Sequence, residues 1–254
     1  MTRLWLVFGL AALSACAKAG SGTTDAAGDT SRPVDAQADG NGCAVQPCSI
    51  LPQCGCGGAN ACDIDFSDNM GTACRPVTTA GQETSTCNGP NACDKGYVCL
   101  GGSTYASCKK YCTANADCGS PRGQCVIDIS AGGTVLAGIP SACSSNCEPT
   151  STAPAECPST YKCSLFTAMH NGQPVKIADC NPAGTGTQNA SCAAGTSGND
   201  SLCAKGYMCT TTSTDTAFKC RRICQVASPN CGAGTCLSFT TKHIINGVEY
   251  GICN

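Results

Sequence analysis

The sequence predicts a small disulfide-rich fold of β-hairpins and loops, arranged as two tandem cysteine-rich modules, elongated and with little or no helix. Three observations lead there. Setting Cys16 aside, the chain's 27 cysteines leave 26, an even number at about 11% of the residues that follow, a density that marks a disulfide scaffold. From residue 17 onward Val, Ile, Leu and Phe together number only 29, too few for an ordinary apolar core. Finally, several cysteine intervals enclose β-branched runs split by Asn-Gly or Gly-Gly, the residues that a tight hairpin turn with positive φ requires. No 3.6-residue apolar periodicity runs through this part of the chain.

Taken from the N-terminus, residues 1–15 open with Met1-Thr2-Arg3 and an apolar run from Leu4 to Leu13. That run is far shorter than the ~20 residues a spanning helix needs, and its layout is that of a signal peptide. It ends Leu13-Ser14-Ala15-Cys16, which resembles the lipobox of bacterial lipoproteins. The resemblance implies cleavage before Cys16, a diacylglycerol on its thiol and a membrane held as partner through that lipid. Ala17 stands where an Asp would resemble an inner-membrane retention signal, so the same likeness implies the outer membrane. Ala15-Cys16-Ala17 and Ala17-Lys18-Ala19 also satisfy an ordinary secretory cleavage rule, which remains the alternative.

Residues 17–42 hold Ala, Gly, Ser, Thr and Asp with no aromatic residue. Such a segment has no face to bury and reads, with Cys16, as a lipidated and disordered tether over 16–42. Alanine-aspartate tethers leading into cysteine-rich repeats are similar to those of surface lipoproteins predicted in gliding soil bacteria. That likeness implies a location and little chemistry.

The rest divides into modules over 43–146 and 147–254. Cys56, Cys62, Cys74, Cys87, Cys93, Cys99, Cys108, Cys112, Cys118, Cys125 and Cys143 align with Cys157, Cys163, Cys180, Cys192, Cys203, Cys209, Cys220, Cys224, Cys231, Cys236 and Cys253. The flanks agree as well, Asp94-Lys95-Gly96-Tyr97 with Ala204-Lys205-Gly206-Tyr207, and Lys109-Lys110 with Arg221-Arg222. Cys43, Cys48, Cys54 and Cys147 complete the set of 26, an even number in each module, so each module is expected to close its own bridges. Within a module a smaller unit recurs: two cysteines a few residues apart, then a third. Hairpins are expected over 163–180 and 236–253 around Asn171-Gly172 and Asn246-Gly247, and over 125–143 around Gly132-Gly133.

Composition and motifs point away from catalysis. A formal charge of −2 gives no reason to expect nucleic acid as a partner. No metal-protease, nucleophile-elbow or phosphate-loop signature is present, and no cofactor or metal is expected. His170 and His243, the two histidines, sit at matching places before hairpin cysteines and read as exposed strand residues. Cys54-Gly55-Cys56 could clip a metal, but oxidised pairing is expected in an exported chain. Asp63, Asp65 and Asp68 resemble the start of a calcium loop, yet Asp68 replaces its glycine and Cys74 its closing Glu, so a solvated acidic hairpin is expected. Lys109-Lys110 and Arg221-Arg222, beside the repeated Lys-Gly-Tyr, could form two cationic-aromatic spots for an anionic glycan or peptide. A solvated charged face is the plainer reading. The function expected is therefore a binding or adhesion scaffold with a glycan or protein ligand, the alternatives being a structural envelope protein, a protease inhibitor or an enzyme of unfamiliar type.

Overall fold

In the computed structural model, residues 43, 47–66, 71–102, 105–195 and 197–254 are described; the signal segment, Cys16 and the tether lie outside them. Sixteen strands follow in order: β1 (Asn60–Ile64), β2 (Thr72–Pro76), β3 (Tyr97–Gly102), β4 (Tyr105–Cys112), β5 (Cys125–Ile127), β6 (Ser130–Ala131), β7 (Thr134–Val135) and β8 (Ser141–Cys143) in the first half. The second half holds β9 (Tyr161–His170), β10 (Gln173–Pro182), β11 (Ala193–Ala194), β12 (Ser197–Gly198), β13 (Tyr207–Thr210), β14 (Lys219–Gln225), β15 (Cys236–Ile245) and β16 (Val248–Cys253). Among the described residues there is no α-helix, and hence no helix able to cross a membrane; only three single 3₁₀ turns occur, at Pro90–Ala92, Asn115–Asp117 and Asp200–Leu202.

The halves share one plan. Each begins with a two-stranded hairpin, β1-β2 or β9-β10, and ends in a four-stranded sheet, of order β3-β4-β8-β5 in the first half and β13-β14-β16-β15 in the second. Gly81 makes a parallel bridge to Cys93, as Gly186 does to Cys203. The turns follow the sequence signals: Asn171 and Gly172 have φ of 50° and 73°, Asn246 and Gly247 46° and 84°, and Gly132 and Gly133 57° and 85°. Two successive positive φ values match the right-handed twist of the flanking strands.

Thirteen disulfides hold the fold, and their connectivity exposes a unit smaller than the half. Six consecutive groups of four cysteines are each joined first to third and second to fourth. In the first half these are Cys48–Cys62 with Cys56–Cys74, Cys87–Cys99 with Cys93–Cys108, and Cys112–Cys125 with Cys118–Cys143. In the second they are Cys147–Cys163 with Cys157–Cys180, Cys192–Cys209 with Cys203–Cys220, and Cys224–Cys236 with Cys231–Cys253. Cys43–Cys54 is an added thirteenth bridge, and no bridge joins the halves.

In every group the third and fourth cysteines face each other across a hairpin: Cys62 and Cys74, Cys99 and Cys108, Cys125 and Cys143, and their counterparts Cys163 and Cys180, Cys209 and Cys220, Cys236 and Cys253. They do not bond each other. Each takes a cysteine from the preceding loop, so the loop is clamped across both strands. In at least five groups three of the sulfurs lie within 4.8 Å of one another, so the crossed bridges stack and do the work of core side chains. A bridge closing about 15 residues contributes about 3 kcal/mol by restricting the unfolded chain.

Small apolar clusters fill what the sulfurs leave. Ile50, Ile64, Val98, Tyr111, Ile129 and Ala142 pack around Cys48, Cys56 and Cys62. Leu165, Ala178, Ile223, Ile245 and Tyr250 pack around Cys147, Cys157, Cys163 and Cys180, and Tyr105 reaches this second cluster from the first half. The halves meet along a seam. The Tyr105 ring lies 4.6 Å from that of Tyr161, Gln124 Nε2 donates to the Lys176 carbonyl at 2.9 Å, and Arg122 Nε donates to the Tyr250 hydroxyl at 3.0 Å.

Candidate functional site

The charged residues singled out in the sequence turn out to be interior. Strand alternation sends successive side chains of β4 and β14 to opposite faces, so one basic residue of each pair goes in and the next goes out. Lys109 is 4% exposed and Arg221 7%. Lys109 Nζ makes an ion pair with Asp179 across the seam and donates to Ser145 Oγ at 2.9 Å. The Arg221 guanidinium holds both carboxylate oxygens of Asp215, at 2.7 and 2.8 Å, and donates to Asn189 Oδ1 at 2.7 Å. Burial opposes a charge on Asp215, but the Thr212 N–H, Arg221 and Lys219 together hold its carboxyl well below the usual range. Neither a two-residue cationic spot nor a solvated face describes these pairs: the inward members are spent on ion pairs. The outward members, Lys110 and Arg222, stand opposite Tyr97 and Tyr207 in the sheet register and are half-buried.

The acidic hairpin is corrected in the same way. Asp63 is 1% exposed and not solvated. It receives Tyr111 Oη–H and Arg75 Nε–H, and the Ile64 N–H at 2.9 Å. Burial pushes its carboxyl above the usual range, against the pull of Tyr111 and Arg75. Its oxygens are thus committed within the protein and form no calcium loop with Asp65; Asp68 lies outside the described residues. Arg75 also donates to the Cys93 and Tyr97 carbonyls, at 2.9 and 3.0 Å. In the second half Lys162, 0% exposed, performs the corresponding task with a 2.7 Å bond to the Tyr207 carbonyl and an ion pair to Asp200 at 3.0 Å. Burial draws the Lys162 ammonium down, and Asp200 opposes it.

The histidines occupy different places. His170 is half-buried at the end of β9, where Nδ1 lies 2.7 Å from Asp128 Oδ1 of the first half. No sequence motif announces that carboxylate, because it comes from across the seam. His243 is buried rather than exposed, with Nε2 3.3 Å from the Ile177 carbonyl. Burial pushes its pKa down to about 4. With unlike surroundings and partners, the two do not form a shared metal or proton-transfer site. Cys54 and Cys56 are each in a disulfide, to Cys43 and Cys74.

Two open grooves lie among the described residues: one of about 580 Å³ beside Tyr207, where the hydroxyl residues Thr152, Ser159, Thr160 and Thr187 and Lys205 alternate with the apolar Ala183, Gly184 and Ala204, and one of about 360 Å³ in the first half beside Lys110 and Tyr111. Lys205 Nζ donates to the Ser159 carbonyl at 2.6 Å, fixing one wall, as Lys95 does to the Gly58 carbonyl at 2.8 Å in the first half. No protein-family model, curated protein or solved structure matches this chain, so its chemistry is read from these residues alone. Sequence reasoning missed the larger groove because its lining comes from three separated segments, around residues 152–160, 183–187 and 204–207.

The disulfides themselves indicate the compartment. Thirteen bridges persist only where thiols are oxidised, so the protein is exported or extracellular.

Proposed function

We propose that this chain is a lipid-anchored cell-envelope protein, held at the outer membrane through Cys16, whose disulfide-locked modules present a binding surface. Catalysis has no part in this reading. The observation that carries it is the division of labour among polar side chains. The buried ionisable groups, Asp63, Arg75, Lys162 and Arg221, are engaged in holding strands and loops together. The hydroxyl-lined groove at Tyr207, by contrast, is open to solvent. Hydroxyls around a half-buried ring suit a glycan, whose sugar faces stack on aromatics and whose hydroxyls need partners.

Two measurements test it. Exported protein should carry lipid on a chain beginning at Cys16, and Cys16→Ser should be released unlipidated; lipid-free wild-type protein would overturn the anchor. A glycan array with Tyr207→Ala and Thr187→Ala variants should lose binding that the wild type shows. Wild-type protein that binds no glycan would overturn the ligand class and favour a purely structural envelope role.

A further inference from the structure

Among the described ion pairs, Lys109 with Asp179 is set apart. It is the amine–carboxylate pair that joins the two halves, and both side chains are largely withdrawn from water, at 5% and 16% exposure. Lys242 with Glu249 is open to solvent on the lysine side. Arg75, Arg122 and Arg221 carry guanidinium groups, which stay protonated and do not acylate. Lys162 with Asp200 is similarly buried on the lysine side, but both lie within the second half and the Asp200 side chain is more open to water, at 28%.

Around Asp179 the donors converge on one oxygen. Oδ1 accepts Ser145 Oγ–H at 2.5 Å and its own neighbour's N–H, from Cys180, at 2.8 Å. Lys109 Nζ contacts the same Oδ1 and also Ser145 Oγ. A second acid, Glu83, is half-buried beside β4, where the Thr84 N–H donates to the Cys108 carbonyl at 3.0 Å, and it is near enough to Lys109, Lys110 and Asp179 for their charges to act on it. Tyr105, its ring tilted against that of Tyr161, is near enough to Asp179 to feel its charge.

We propose that Lys109 and Asp179 condense into an isopeptide bond, a covalent clamp between two halves that no disulfide connects. The step balances without any other reagent. The Lys109 ammonium gives a proton to the Asp179 carboxylate, leaving a neutral amine and a neutral acid. Nζ then attacks Cγ, and the charge developing on Oδ1 is met by the Ser145 hydroxyl and the Cys180 N–H, placed as an oxyanion hole is. Glu83 takes a proton from Nζ and delivers it to Oδ2, which departs as water. One C–N bond forms, one C–O bond breaks, and no electron is gained or lost.

Three physical features favour the step. Fold-imposed contact between Nζ and the carboxyl group replaces a bimolecular encounter, which is worth several powers of ten in effective concentration. A buried ion pair is costly to desolvate, whereas the product amide is neutral, so burial draws the reaction forward. Burial pushes the Glu83 carboxyl up, opposed by Lys109 and Lys110 and assisted by Asp179, which suits it to carry a proton both ways. The same strand position in the second half holds Arg221 and so supplies an internal control that cannot react.

The test is the mass of the full exported chain after complete reduction and alkylation. It should be lighter than its sequence by one water, and tryptic digestion should give a branched peptide joining β4 to β10. Lys109→Arg keeps the charge and should restore full mass with linear peptides. Asp179→Asn should still cross-link, now with loss of ammonia, and Glu83→Gln should slow or stop the bond in a folded chain. Full mass and separate Lys109 and Asp179 peptides in folded wild-type protein would overturn the proposal. So would a missing water that survives Lys109→Arg.

Discussion

The two halves share a topology and a bridge pattern but distribute their buried charges differently. On the first hairpin, Ala61 stands opposite Arg75; on the second, the equivalent rung pairs Lys162 with Asn181. The cation has moved to the other strand, yet in both halves it reaches the carbonyl at the start of the next hairpin, Tyr97 or Tyr207. Two rungs away, beyond the facing cysteines, Asp63 stands opposite Ala73 and Asp179 opposite Ser164, so the acid has changed strands too. Asp63 turns to its own hairpin's Arg75, whereas Asp179 turns across the seam to Lys109. Deeper in the sheets the types are exchanged, Lys109 against Arg221. The lesson is that the fold requires a buried cation at each of these places but not a particular residue. What the residue type decides is reach: the forked Arg221 closes a network inside its own half, while Lys109 ends on a single point between halves.

The largest expected effect comes from removing those cations. Arg75→Met takes a buried donor from Asp63 and from the Cys93 and Tyr97 carbonyls, and Lys162→Met takes one from the Tyr207 carbonyl and from the partly exposed Asp200. Loss of one member of a buried pair costs about 3–5 kcal/mol, or a melting-temperature drop of roughly 10 °C for a domain of this size. Calorimetry of the oxidised proteins should give similar losses for both variants, since both cations do one job. A small loss for one alone would break the equivalence of the two hairpins.

Acid sensitivity should separate the halves next. Both histidines lie in the second half, and His243 is the buried one. Its folded pKa of about 4 lies below the ordinary 6.5, so between these values the unfolded chain binds more protons than the folded one. Stability is therefore full above pH 6.5 and falls as pH drops toward 4, by about 3 kcal/mol in all. His243→Phe keeps a ring against Phe239 and should flatten the profile over that window, measured as melting temperature against pH. A profile unchanged by the substitution would place the acid-sensitive group elsewhere.

Much of the fold was legible in the sequence because its signals are local. Cysteine spacing carries the duplication, and Asn171-Gly172, Asn246-Gly247 and Gly132-Gly133 mark turns through a backbone requirement that few other residues meet. The crossed connectivity was not legible, since four cysteines permit three pairings and spacing alone does not choose among them. The sites were less legible for a different reason. Lys109 and Arg221 look like surface charge until strand register sends them inward, and the Lys109 partner, Asp179, is set by packing across a long separation. Asp63 looks like a metal ligand because sequence shows its neighbours along the chain but not Arg75 and Tyr111 above it. The Asp128–His170 contact needs the two halves docked, which no local pattern encodes.

That contact gives the smallest expected effect and the finest test of the seam. Asp128 receives the Asn171 N–H at 2.9 Å on one oxygen and His170 Nδ1 and Ser141 on the other. Burial disfavours its charge, but these partners prevail and hold its carboxyl below the ordinary 3.8. Its contribution is thus present above that value and lost as pH falls through the lower folded one, a window beneath that of His243. The pair is partly exposed, at 28% and 14%, so solvent screening limits it to about 0.5–1 kcal/mol. Asp128→Asn should lower stability by that amount at neutral pH, leave the slope between pH 6.5 and 4 intact, and shallow the slope below it, the remainder of which belongs to carboxylates such as Asp215 that are also held below their usual range. If both slopes shallow together, the seam and the second-half interior titrate as one unit, and the halves are coupled more tightly than their separate bridge sets imply.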